Sequence, residues 1–226
     1  MKSLFLSTVL FMSLATANAA TFDADYYTIK RATLTEIDEE VSDLTLDTVV
    51  ENSCMTVDTI AAEGVDIDQI INYGKMIWKF IKDNKPVVNV ERNSANALPK
   101  GIKSSYELAG WKGIVTKTYR MTYENLYGMN VIDFKFRVSS TYGGSYKGQG
   151  QYVTNATIVP ALVSVAWGYT FNATVAINDV LNVGSEKNPI GAIDISVRYS
   201  IDTVMKHNAE MYTFLVRGDG KIIDLN

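Results

Sequence analysis

Histidine and cysteine, the side chains that most often carry nucleophilic or metal chemistry, each occur once in this 226-residue chain. His207 lies in a predicted turn, and Cys54 lies far from it along the sequence. A zinc site of the usual type needs several such ligands, and a serine hydrolase needs a histidine base beside its nucleophile. No G-x-S-x-G elbow is present either. The sequence therefore predicts no catalytic residues, no metal site and no cofactor.

Carboxylates are the remaining candidates for chemistry, because two of them suffice for glycoside hydrolysis. Most of them fall on predicted solvent-facing strand positions, as Asp194 and Asp202 do. Asp66 and Asp68 lead into a predicted helix rather than a calcium-binding loop. We therefore interpret the chain as a non-enzymatic protein.

A segment rich in glycine and tyrosine is the first candidate binding site. It reads YGGSYKGQGQY over residues 142–152 and joins two predicted strands, with no helix after it that could form a phosphate site. Glycines in strands usually mark turns, bulges or close backbone contacts. Tyrosines beside a lysine also make an amphipathic surface suited to sugars, peptides or lipid headgroups. Both interpretations stay open, and the predicted ligand-binding residues are Tyr142, Tyr146, Lys147 and Tyr152.

A predicted amphipathic helix at residues 67–82 is the second candidate. Its isoleucines and Trp78 recur with a 3.6-residue period, and its apolar arc of roughly 220° is wider than one flat contact requires. We expect this helix to cover a β domain or, alternatively, to bind a membrane or a partner protein. The predicted membrane- or partner-binding residues are Trp78, Lys75, Lys79 and Lys82.

The hydrophobic period changes from 3.6 to 2 in the C-terminal part of the chain, as is typical of half-buried strands. Folding about residues 125–128 would pair Tyr119 with Phe134 and Arg120 with Asp133. Apolar residues then meet apolar residues and opposite charges meet, which favours a hairpin in this register.

Further strands are predicted towards the C-terminus. Folding about residues 205–208 would pair Tyr199 with Phe214 in a second hairpin. Alternation over residues 163–177 predicts one unusually long strand. The main loop of this half is predicted at residues 182–189, and a tight hairpin turn at Gly218-Asp219-Gly220.

The first nineteen or so residues have the three regions of a secretory signal peptide. Lys2 precedes an apolar run from Leu4 to Ala15, and we predict cleavage after Ala19. The apolar run has about 12 residues, whereas a membrane span needs about 20. We therefore expect an exported protein that is periplasmic or secreted.

Charge is distributed unevenly along the chain. Residues 21–70 carry 13 acidic and two basic side chains, whereas residues 71–226 carry 12 acidic and 18 basic ones. The spacing of Leu34, Ile37 and Val41 predicts a short helix in the acidic part. The asymmetry suggests that the acidic part docks on the rest or that the two parts meet different partners.

These patterns predict a mainly β fold. We expect a long-stranded antiparallel β-sandwich or partly closed barrel at residues 86–226, with an acidic helical N-terminal segment at residues 20–85 packed on it. A signal peptide at residues 1–19 precedes both parts.

The predicted function is that of an exported, non-enzymatic binding protein of the cell envelope or the secreted fraction. Its expected partner is a glycan, a lipid surface or an envelope protein, and not a nucleic acid. One alternative is a membrane-active, pore-forming-like protein that uses the helix at residues 67–82. Another is an outer-membrane β-barrel.

Overall fold

The residues that the structure describes form two antiparallel sheets of six strands each. The computed structural model describes residues 23–38, 64–87 and 93–226. The strands of these residues, in chain order, are β1 (Ile29–Ile37), β2 (Asp66–Ile71), β3 (Ile77–Lys82), β4 (Lys85–Pro86), β5 (Ala95–Lys100), β6 (Gly113–Asn125), β7 (Asn130–Tyr146), β8 (Gln149–Val165), β9 (Thr170–Asn182), β10 (Gly191–Asp202), β11 (His207–Arg217) and β12 (Ile222–Asp224).

The first sheet has the strand order β1-β6-β7-β8-β5-β2, and the second has β12-β11-β10-β9-β3-β4. One of the two sheets curls into a half-barrel. The predicted mainly β class with antiparallel sheets is therefore confirmed.

The core lies between the two sheets, because alternate residues of each long strand face inward. Phe134 and Phe136 of β7 pack on Phe171 of β9 and Phe214 of β11, with ring centroids 5.1 and 5.9 Å apart across the sheets. All four rings are fully buried. Aromatic pairs of this kind add about 0.5–1.5 kcal/mol each beyond the burial of their area.

The predicted helix at residues 67–82 is wrong, because these residues form β2 in the first sheet and β3 in the second. The chain crosses between the sheets at Gly74, where a Cβ would lie 2.4 Å from the Ser94 carbonyl oxygen. The Asn72 side chain accepts hydrogen bonds from the backbone N–H groups of Gly74 and Asn96 at 2.8 and 2.9 Å. The β-branched isoleucines favour strands, and pairing with neighbouring strands overrides the helical spacing.

The shorter predicted helix is also wrong where it is described, because Leu34 and Ile37 lie in β1. The described residues hold no α-helix, so the predicted helical segment is replaced by strands that belong to both sheets. Val41, Cys54 and the predicted signal peptide lie outside the described residues.

The first predicted hairpin forms, but its register differs from the prediction. Tyr119 faces Phe136 rather than Phe134, a difference of two residues, and one of the two comes from a bulge at Val131 near the start of β7. An even shift leaves the same side chains facing the core. Arg120 still contacts Asp133 diagonally, with the guanidinium 2.6 Å from the carboxylate.

The second predicted hairpin forms with a shift of four residues, so that Tyr199 faces Glu210 rather than Phe214. Its turn has the predicted length of four residues but lies two residues earlier, at residues 203–206. The Thr203 N–H donates to the Lys206 carbonyl at 2.9 Å, and the Lys206 N–H donates to the Thr203 hydroxyl at 3.0 Å. This turn geometry fixes the register.

The predicted long strand at residues 163–177 is two strands, β8 and β9, which belong to different sheets. Between them the Tyr169 N–H donates to the Ala166 carbonyl at 3.2 Å, and Gly168 has a φ of +82°. A type II turn requires positive φ at this position, which only glycine adopts easily. The alternation continues through the turn and conceals it.

Candidate functional site

Loops that connect the long strands lie at two opposite ends of the sheets. One of them, which we call the loop end, consists of segments 23–28, 83–84, 126–129, 166–169 and 203–206. Strand pairing brings these segments together, since β7 begins beside the end of β8, and β9 begins beside the end of β10.

Large apolar side chains occupy the tips of the loop end. Trp167 is 83% exposed, which is unusual for the largest apolar side chain. Three adjacent loops carry the exposed apolar residues Leu126, Tyr127, Met129, Trp167, Val204 and Met205. A group of apolar side chains left in water at one end of a protein marks an interaction surface.

The base of the first of these loops is fixed by Asn125, which is fully buried. Its side-chain oxygen accepts hydrogen bonds from the N–H groups of Tyr127 and Met129 at 3.1 and 3.0 Å. Its amide nitrogen donates to the Tyr26 carbonyl at 3.1 Å. An asparagine that binds its own turn in this way orders the loop and presents its apolar tip to solvent.

Hydrogen bonds also join the segments of the loop end to one another. The Tyr26 hydroxyl donates to the Trp167 carbonyl at 3.0 Å, and the Tyr127 hydroxyl donates to the Asp23 carboxylate at 2.7 Å. The Tyr169 hydroxyl donates to the Tyr26 carbonyl, and burial raises the pKa of Tyr169 to about 12, so this phenol remains a donor at neutral pH. The tips at residues 126–129 and 166–169 are therefore held together through the segment at residues 23–28.

Few ionised groups lie in the loop-end segments. They comprise three carboxylates, Asp23, Asp25 and Asp83, and one cation, Lys206, for a net charge of −2. The loop end therefore lacks the cluster of basic residues that anionic membranes or nucleic acids attract.

At the opposite end of the sheets, the turns at residues 147–148, 183–190 and 218–221 are polar, and one exposed aromatic side chain, Tyr106, lies there in the β5–β6 connection. The predicted loop at residues 182–189 and the predicted turn at residues 218–220 lie here and are confirmed within one or two residues. The contrast between the two ends makes the apolar loop end the stronger candidate for a surface that binds a membrane or another molecule.

The predicted ligand-binding segment lies at this polar end, and Tyr152 is part of a small core there. Tyr152 is fully buried, and its hydroxyl donates to the Ile67 carbonyl at 2.7 Å. A Cβ on Gly150 would lie 2.6 Å from the Tyr152 ring, so this glycine provides space for the ring. The packing interpretation accounts for both residues.

The other three predicted ligand residues lie closer to the surface. Lys147 places its ammonium 5.1 Å from the centre of the Tyr146 ring, at the tip of the β7–β8 hairpin. Tyr142 packs under the turn at Gly220, where a Cβ would lie 2.7 Å from its ring. Ligand contact at these three residues stays a prediction.

The residues predicted to bind a membrane or partner through a helix are separated by the strand geometry. Trp78 faces the core and is 6% exposed. Lys75 lies in the crossing before β3 and donates to the Asn93 side chain at 3.0 Å. Lys79 and Lys82 are exposed on β3. These four residues therefore do not lie on one helix as predicted.

His207 lies near two groups that could resemble a catalytic set. Its Nδ1 contacts the Asp202 carboxylate, and the Ser200 hydroxyl donates to the same carboxylate at 3.4 Å. A serine nucleophile needs the imidazole between itself and the carboxylate, whereas here the carboxylate lies between the other two groups. This arrangement does not activate Ser200.

Two further features of the described ranges bear on possible functions. No group of three His, Cys, Asp or Glu side chains within them could hold a metal ion. No helix in the same ranges is long and apolar enough to cross a membrane.

Sequence reasoning missed the residues of the loop end. A signal was present, because a large apolar residue precedes a glycine in both Tyr127-Gly128 and Trp167-Gly168. Glycine in such pairs marks a turn, and a turn exposes its neighbours. The alternating pattern assigned Trp167 to a strand and so concealed its position.

Comparisons of the chain with protein-family models, curated proteins and solved structures give no match. The function must therefore be argued from the geometry of the chain itself.

Proposed function

We propose that the chain is an exported, non-enzymatic binding protein whose loop end docks on the surface of a lipid bilayer. The observation that carries this proposal is the cluster of six exposed apolar side chains on three adjacent loops. Bilayer docking would remove these side chains from water without requiring a complementary protein surface.

The residue types at the tips match the layers of a bilayer. Trp167 and Tyr127 combine an apolar ring with a polar group, and such rings favour the headgroup level of a membrane. Leu126, Met129 and Met205 lack polar hydrogen-bonding groups and would enter the acyl region. The tips belong to separate loops, two of which are joined at their bases by hydrogen bonds, and this arrangement suits insertion between lipids.

The charge of the loop end selects the kind of lipid. With three carboxylates and one lysine, it gains nothing from an anionic membrane. A zwitterionic headgroup such as phosphatidylcholine fits better, because it presents both signs of charge. We therefore expect binding that anionic lipids do not strengthen.

Flotation of the mature chain with phosphatidylcholine vesicles tests the proposal. Trp167→Ser should weaken partition at least tenfold, since the lost apolar burial is worth about 1.5 kcal/mol or more. Tyr106→Ser is the matched control, because Tyr106 is also an exposed aromatic side chain, at 79%, and lies outside the loop end.

Wild-type chain and the Tyr106 variant should float alike, and the Trp167 variant should remain at the bottom of the gradient. Equal flotation of the two variants, or flotation only with anionic lipids, would show that the loop end does not carry bilayer binding.

A further inference from the structure

A groove of about 460 Å³ lies away from the loop end, between the β7–β8 part of the first sheet and the β3–β4 part of the second. This volume is within the range of about 300–1,000 Å³ that is usual for small-molecule sites. Its exposed apolar lining comes from Val87, Ile114 and Val159, whose side chains are 36%, 56% and 41% exposed.

The wall of the groove contains a buried hydroxyl without a hydrogen-bond partner. Ser140 is 1% exposed, and no group of the described residues hydrogen-bonds its Oγ. Buried hydroxyls are nearly always paired, by protein groups, by ordered water or by a ligand. The neighbouring Thr157 hydroxyl is already used, since it donates to the Asn93 carbonyl at 2.7 Å.

The charge of the groove lining is positive. Among the described residues that line it, Lys79 is the single ionised side chain, and the others are apolar or carry neutral hydroxyl and amide groups. The two aromatic residues of the lining, Trp78 and Phe80, are 6% and 4% exposed, so neither offers a face on which a sugar ring could stack. An aliphatic ligand with one negative charge complements this lining.

We infer that the groove binds a single-chain amphiphile with an anionic head, of the fatty-acid class. The alkyl chain lies along Val87, Ile114 and Val159, Lys79 supplies the charge for the carboxylate, and Ser140 supplies the unpaired hydroxyl. This site does not depend on the loop end and goes beyond bilayer docking.

Titration with 11-(dansylamino)undecanoic acid, in buffer without vesicles, tests the inference through the rise in dansyl emission. Dodecanoate should displace the probe, and dodecanol should do so at least tenfold less well. Val159→Arg should abolish probe binding by filling the groove. Leu162→Arg is its matched control, because Leu162 lies on the same strand with the same exposure of 41% and does not line the groove.

Two further variants separate ligand binding from folding and from bilayer docking. Ser140→Ala should weaken probe binding about fivefold or more without lowering the unfolding temperature of the ligand-free chain, because removing an unpaired buried hydroxyl breaks no hydrogen bond of the free fold. Trp167→Ser should bind the probe as the wild type does, even if it no longer binds vesicles. Equal binding by the Val159 and Leu162 variants, or equal displacement by dodecanol and dodecanoate, would overturn the inference.

Discussion

Two fully buried tyrosines differ in whether their hydroxyl groups find a partner. The Tyr152 hydroxyl donates to the Ile67 carbonyl at 2.7 Å, whereas no described group hydrogen-bonds the Tyr119 hydroxyl. Burial raises the pKa of Tyr152 to about 12 and raises that of Tyr119 as well, so both are neutral phenols at physiological pH. A buried hydroxyl without a partner costs about 1–3 kcal/mol.

Replacing each of these tyrosines by phenylalanine should therefore have opposite effects on the free energy of unfolding. Tyr119→Phe removes an unpaired hydroxyl and should stabilise the chain by about 1 kcal/mol, or about 2–4 °C in Tm. Tyr152→Phe leaves the Ile67 carbonyl without its donor and should destabilise by a similar amount. Urea unfolding of the two variants measures both values, and shifts of the same sign would contradict this account.

The turn after β11 is closed by a bidentate ion pair between Arg217 and Asp219, with N–O distances of 3.0 and 2.8 Å. Partial burial by itself raises the pKa of Asp219, but the hydrogen bonds and charge of Arg217, with Lys221, outweigh it, and the net pKa is lowered. A carboxylate with a lowered pKa in the folded state contributes stability above its unfolded pKa. That contribution is lost as the pH falls through the folded pKa.

Asp219→Asn should destabilise the chain by about 1 kcal/mol at neutral pH, because it removes this pair. The difference from wild type should be constant above about pH 5 and should shrink below about pH 4, where the wild-type carboxylate also loses its charge. Thermal unfolding of both proteins across this range tests the prediction. A difference that grows towards low pH would show that the ion pair is not its source.

Sequence alternation predicts that Tyr119 faces the core, but it does not predict that its hydroxyl lacks a partner. The partner of Tyr152 is a backbone carbonyl 85 residues away, on a strand that the helical spacing of residues 67–82 assigned incorrectly. Side-chain pairing of this kind depends on which strands become neighbours, and local patterns carry no information about that.

At the scale of elements, the crossing between β2 and β3 is the largest departure from the sequence prediction. Both the helical period and β-branched enrichment were present in residues 67–82, and the strands prevail because each one pairs with a neighbour. Gly74 is the local signal, since its Cα lies so close to Ser94 that no side chain fits.

The effect of Gly74→Ala on the free energy of unfolding has opposite signs for a helix at residues 67–82 and for a crossing between two strands. In a helix, alanine would stabilise by about 1 kcal/mol relative to glycine. At the crossing, its Cβ would lie 2.4 Å from the Ser94 carbonyl oxygen, so we expect a loss of about 1–3 kcal/mol. Gly64→Ala is the control, because no atom lies within 4 Å of its added Cβ.

Denaturant unfolding followed by far-UV circular dichroism measures these free energies. The Gly64 variant should stay within about 0.5 kcal/mol of wild type. A Gly74 variant as stable as wild type, or more stable, would contradict the crossing.

For β6, β7, β10 and β11, both the presence of a strand and the side chains that face the core were predictable. Alternation with a period of two identifies the residues that share a face of the sheet. The register of the pairs was not predictable, since the bulge at Val131 in β7 and the Thr203–Lys206 turn are set by local backbone geometry. Both errors were even shifts, so the core residues Tyr119 and Tyr199 were still placed correctly.

At the scale of the whole molecule, the two ends of the sheets differ in chemistry. The polar end carries Lys147, Glu186 and Asp219 in its turns, whereas the loop end carries Leu126, Trp167 and their neighbours. Sequence order alone does not reveal this contrast, because the three apolar loops are separated by about 40 residues each and meet only when the strands pair.

Emission from Trp167 in the presence of phosphatidylcholine vesicles reports directly on whether the loop end enters a bilayer. Trp78 and Trp111 are the other tryptophans, and Trp167→Phe gives their emission as a baseline to subtract. We predict that the Trp167 component shifts to the blue on vesicle addition, is quenched by brominated phosphatidylcholine and becomes protected from acrylamide. Unchanged emission that acrylamide still quenches, with no effect of brominated lipid, would show that Trp167 does not enter the bilayer and that the loop end does not dock on it.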